Sequence, residues 1–149
     1  MTKFLLTLHV LAAIVAVGPV TVAASMFPPA ARTDREGRLN TVRLLHRICR
    51  VYSGIGIAVP LLGLATGAAM GVLGDAWLIT SITLTAVAAG ILVAFVLPRQ
   101  DEIVEQLAAE QPVERSGTVQ LAMFTGVFNL LWATVTVLMI VRPGSTTGA

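Results

Sequence analysis

The side chains of this 149-residue chain with metal or proton chemistry are few: two histidines, one cysteine and a handful of methionines. His9 lies about five residues inside a long apolar run, roughly 7–8 Å deep at 1.5 Å per residue. A neutral imidazole there is a candidate axial ligand for haem iron or a ligand for copper. Met70 and Met139 fall near the same end of their own apolar runs. Imidazole with thioether suits copper(I) and also His/Met haem ligation. The plain alternative is an interfacial histidine bonded to a carbonyl or water, with methionine as apolar filler. His46 sits among Arg43, Arg47 and Arg50, a setting for an interfacial residue or for contact with phosphate. His9 and His46 lie near opposite membrane surfaces, roughly 20 Å apart in depth. They are too distant to clasp one iron, whose axial nitrogens stand about 4 Å apart. Cys49 is the single cysteine, so no internal disulfide and no C-x-x-C pair exist.

These residues are positioned by four apolar stretches at 4–26, 51–73, 77–97 and 118–141. A hydrocarbon core roughly 30 Å thick needs about 20 helical residues to cross it. Hydrophobic residues make up 56% of the chain and charged ones 12%, and the stretches themselves carry no charge. The first, preceded by Lys3, is longer than the apolar region of a signal peptide and is expected to be retained. The expected fold is all-α: a four-helix transmembrane bundle spanning residues 1–142, followed by a disordered tail at 143–149.

Basic residues set the expected orientation. Six arginines, Arg32, Arg35, Arg38, Arg43, Arg47 and Arg50, flank the start of the second span, and Arg99 and Arg115 follow the third. Only Lys3 and Arg142 lie at the other side. The positive-inside rule then puts loops 27–50 and 98–117 in the cytoplasm and both termini outside. Arg43, Arg47 and Arg50 are the candidates for binding lipid headgroups, at about 1 kcal/mol each near an anionic surface. A net charge of +2 and this clustering fit a membrane surface rather than nucleic acid. Segment 98–117 has Ile103, Val104 and Leu107 at helical spacing; it is expected to form a short amphipathic helix that continues the third span or lies on the membrane. Its five acidic residues favour contact with the arginine-rich segment over anionic lipid.

Small residues mark the expected packing faces. Gly63, Gly67 and Gly71 form a double G-x-x-x-G, which lets two helix backbones approach closely in lipid. Pro60 is expected to kink that span. Stripes of small or polar residues recur at His9, Ala13, Ala16, Val20 and Ala23, at Ser81, Thr85 and Ala88, and at Ala122, Gly126, Asn129, Ala133 and Thr136. All four stripes are expected to face inward, with bulky residues toward lipid. Asn129 is expected to bond across helices and Trp132 to pack.

The opening FLLTLHVLAAIVAVGP, Leu-His-Val followed by small residues, resembles a bacterial family of predicted integral membrane proteins. That family is distantly similar to the copper-resistance D membrane domain and to four-helix haem-linked protoporphyrinogen oxidases. The resemblance implies four spans over most of the chain. In the oxidases a first-span histidine is implicated in haem binding, and the matching position is His9. This chain departs from them in its 5% aromatic content and in uncharged third and fourth spans.

Signatures of soluble enzymes are missing, including the phosphate-binding Walker loop, H-E-x-x-H and G-x-S-x-G. The expected function is that of a small membrane accessory or assembly component, whose partners are the lipid bilayer and another membrane protein or a second copy. The alternatives are a haem- or porphyrin-linked redox protein (haem b) using His9, and a copper-handling protein using His9 with Met70 or Met139. Whether the chain is an enzyme is left open by the residues.

Overall fold

The structure, a computed structural model, describes residues 2–32 and 37–142. Among the described residues six α-helices follow in order: α1 Thr2–Arg32, α2 Arg38–Ile55, α3 Ala58–Met70, α4 Ala76–Ile91, α5 Leu97–Ala108 and α6 Arg115–Val141. A single π turn, Leu92–Val96, joins α4 to α5. Two of the breaks are shallow, so four rods long and apolar enough to cross a membrane result: Thr2–Arg32, Arg38–Met70, Ala76–Ala108 and Arg115–Val141. The four-span, all-α reading holds. The expected tail at 143–149 lies outside the described residues.

The rods are longer than the apolar stretches. Residues 27–32 and 38–50 extend α1 and begin α2, and 97–108 form α5, so the expected loops 27–50 and 98–117 are largely helical. A rod of 33 residues is about 50 Å long, some 20 Å more than the hydrocarbon core. The excess forms a polar-faced extension at the loop end of the bundle. Its core is built by Phe27 and Ala31 of α1, Val42, Leu45 and Cys49 of α2, Ile103 and Leu107 of α5, and Leu121 of α6. Amphipathic spacing carries the helices past the membrane boundary: the buried residues of α2 are Val42, Leu45, His46 and Cys49, all on one stripe.

Both mid-rod breaks trace to proline. Pro60 has no N–H and crowds the carbonyl four residues back, that of Gly56. The chain breaks at Gly56–Ile57, where Val59 N–H reaches Gly56 O at 3.1 Å in a tighter turn. Pro98 acts in the same way on the third rod, and the π turn immediately before it supplies the extra length. The π turn also keeps one face inward. Ala88, Leu92, Val96 and Gln100 are all buried at successive steps of four, although each such step in an α-helix drifts about 40°.

The small-residue stripes of α1 and α4 face inward, as do Gly63 and Gly67 of α3. His9, Ala16, Val20, Ala23 and Ala24 of α1 are buried, as are Ser81 and Ala88 of α4. The stripe of α6 does not follow: Ala122, Ala133 and Thr136 are exposed and Gly126 and Asn129 half-buried. Thr118, Leu121, Thr125, Phe128 and Val135 form the buried face instead. The reason is volume. Leu121 and Phe128 fill the space left by Ala23, Ala24 and Ala88 in one core cluster, whereas small against small on every helix would leave voids.

Candidate functional site

His9 points into the bundle, 9% exposed. Its Nδ1 lies 2.9 Å from the carbonyl oxygen of Val59. A carbonyl only accepts, so Nδ1 carries the proton; in a neutral ring Nε2 is then the nitrogen with the lone pair. The ring sits over Gly63: a Cβ there would come 2.9 Å from His9 Cε1 and 3.3 Å from Nδ1. Gly63 is thus the notch in α3 that admits the imidazole, and the kink at Pro60 lies beside the accepting carbonyl.

The glycine row serves two purposes. A Cβ on Gly67 would meet Leu78 Cδ2 at 2.9 Å and Leu73 Cδ2 at 3.2 Å, so Gly67 faces the start of α4. Gly71 has open space around it and a φ of +72°. It ends α3 in a left-handed turn, with Gly71 N–H to Ala68 O at 3.1 Å and Val72 N–H to Gly67 O at 3.0 Å. Gly71 therefore belongs to the turn, not to the expected packing seam.

The expected neighbours of His9, Met70 and Met139, lie toward the same end of their rods as His9 does. Met70 is the last residue of α3, seven residues beyond Gly63 and so about 10 Å further along the axis. Met139 lies two residues from the end of α6, while His9 is seven residues from the start of α1. Among the described residues no three His, Cys, Asp or Glu side chains converge.

A second polar cluster, at the loop end, escaped the sequence reading. His46 Nδ1 lies 3.0 Å from Gln100 Oε1, and Gln100 Nε2 donates to Cys49 Sγ at 3.6 Å. Cys49 Sγ–H in turn points to the carbonyl of Val20 at 4.0 Å. Gln100 and Cys49 are fully buried and His46 is 8% exposed. His46 Nε2 also faces Asp101 Oδ1 at 3.7 Å. The expected contact of the acidic segment with the arginine-rich one is thus made through histidine, glutamine and thiol. A detectable signal was present: Gln100 falls in helical register with Ile103 and Leu107.

The outer side of His46 opens on a recess of about 500 Å³ lined by Arg43, His46, Arg47, Arg50 and Val51. Between α1 and α6, Asn129 Nδ2 donates to Ser25 Oγ at 3.1 Å. Asn129 Oδ1, Thr21 Oγ1, Thr125 Oγ1 and Trp132 Nε1 are buried there without a hydrogen-bond partner.

A model of a known family covers residues 3–143 of the chain; its description is "predicted integral membrane protein (DUF2269)". The chain belongs to that family. No curated protein and no solved structure matches it. Membership of DUF2269 establishes an integral, multi-pass membrane protein, in agreement with the four rods, and names no activity. The residues above are this chain's own.

Proposed function

We propose that this DUF2269 protein works as an accessory or assembly component of the membrane, docking α6 against a transmembrane helix of another membrane protein. The supporting observation is the outward stripe of α6. Ala122 and Ala133 are exposed, and a Cβ on Gly126 would meet nothing within 4 Å. Small residues gain nothing from lipid that a closely packed helix would not exceed. Photo-crosslinkers at Ala122 and Ala133 in native membranes test this, with Val127, about 100° round the helix, as control. One discrete heavier adduct from the stripe, absent from Val127 and lost in Gly126→Leu, supports the reading. An adduct of twice the chain's mass assigns the stripe to a second copy, and lipid adducts alone overturn the docking.

One observation favours a second reading, in which His9 holds haem b or copper. Donation of Nδ1–H to the Val59 carbonyl is the arrangement that orients a metal-binding imidazole and leaves Nε2 free to ligate. The chain fits such a group at one position, His9 Nε2, and Met70 and Met139 at the same end of their rods are the candidates for a further donor. Bound there, haem or copper would supply one-electron chemistry. The absorption spectrum and copper content of the protein purified in detergent decide. A Soret band or stoichiometric copper, lost in His9→Ala, establishes this second reading; a colourless, copper-free protein supports the first.

A further inference from the structure

We infer that the recess lined by Arg43, His46, Arg47 and Arg50 is a binding site for the phosphate of an anionic lipid headgroup. Three arguments converge on it. The first is charge. Arg43, Arg47 and Arg50 follow one another at steps of four and three, so their guanidiniums share one face of α2. The ion pairs among the described residues, His46–Asp101 and Arg99–Glu102, engage none of the three. Guanidinium groups offer paired N–H donors that match phosphate oxygens.

The second is depth. The charge-free stretch of this rod begins at Val51, which itself lines the recess. Arg50, Arg47 and Arg43 stand one, four and eight residues before it, hence about 1.5, 6 and 12 Å beyond the apolar boundary. The headgroup layer is about 5–7 Å thick on each side. Arg50 and Arg47 therefore lie in the phosphate layer, and the long side chain of Arg43 reaches back to it.

The third is construction. His46 forms the inner wall and is fixed from behind by fully buried Gln100, which is itself tied to Cys49. With Nδ1 held by Gln100, Nε2 is the nitrogen left to meet a ligand or Asp101. Asp101, with a side chain 60% exposed, marks the acidic limit of the site at α5. A phosphate is thus seated toward the arginine side.

Native mass spectrometry of the full chain from an uncharged detergent tests the assignment, with dioctanoyl phosphatidylglycerol, dioctanoyl phosphatidylcholine and inorganic phosphate as probes. Phosphatidylglycerol is expected to be retained over phosphatidylcholine. Each of Arg43→Gln, Arg47→Gln and Arg50→Gln should weaken that binding about fivefold and the triple variant about a hundredfold. Arg115→Gln, on α6 at the same end, should leave it unchanged. The three arginines are exposed, so the lipid-free variants should melt with the parent, which separates lost binding from lost folding. Equal retention of both lipids, an unchanged triple variant, or an equal loss in Arg115→Gln overturns the site. Arginine-dependent binding of inorganic phosphate without preference between the lipids overturns the lipid source in favour of free phosphate.

Discussion

At the scale of single residues, the bundle spends its few polar side chains on packing between helices. Gly63 and His9 are a matched pair, since a methyl group on Gly63 would stand 2.9 Å from the imidazole. Gly63→Ala should push the ring off the Val59 carbonyl and lower thermal stability in detergent by about 1–3 kcal/mol. In a His9→Ala background the same change should cost almost nothing. A double-mutant cycle in which Gly63→Ala costs the same in both backgrounds would break the pairing. Gln100 carries the other network: it bonds His46 with one end of its amide and Cys49 with the other. Gln100→Ala strips a fully buried site of both bonds and should cost about 1–3 kcal/mol. Chemical denaturation that finds the variant as stable as the parent would show the network to be dispensable.

At the scale of elements, apolar run lengths revealed the number of rods but not their ends. The runs stop where lipid stops, whereas α1, α2 and α5 continue on amphipathic spacing that seats Phe27, Val42, Leu45 and Ile103 in a core outside the hydrocarbon. Pro60 was legible as a kink. The inward side of α6 was not, because small residues mark close approach without saying from which side it comes. Gly71 was misread as part of the seam because a G-x-x-x-G spacing looks alike in a seam and at a helix end; its φ of +72° decides. Helix α5 closes with the same capping pattern, Glu110 N–H to Leu107 O at 3.2 Å and Gln111 N–H to Gln106 O at 2.8 Å. There the left-handed residue is Glu110, at φ 56°. The two caps predict changes of opposite sign. Gly71→Ala should destabilise by about 1–2 kcal/mol and Glu110→Gly should stabilise by about 1 kcal/mol, since a Cβ in that conformation clashes with the following carbonyl. Melting curves that move in the same direction for both would refute the capping argument.

At the scale of the whole molecule, four rods crossing in alternation put the termini and the Gly71–Asp75 turn at one end and both helical extensions at the other. The two ends differ in charge. Arg32, Arg38, Arg43, Arg47, Arg50, Arg99 and Arg115 stand at the extension end, against Lys3 and Arg142 at the other. Acidic residues at the extension end count little toward orientation, because basic residues near the span ends set it. The extension end is therefore expected in the cytoplasm, which also turns the arginine recess toward the leaflet richest in anionic lipid. Gly74 and Gln111 are exposed at opposite ends, and the native Cys49 is buried, so added thiols give a clean readout. In intact cells a membrane-impermeant maleimide should label Gly74→Cys and spare Gln111→Cys until the membrane is opened. The reverse pattern would invert the protein and place the recess against the outer leaflet, where its charge would have to serve a different lipid surface.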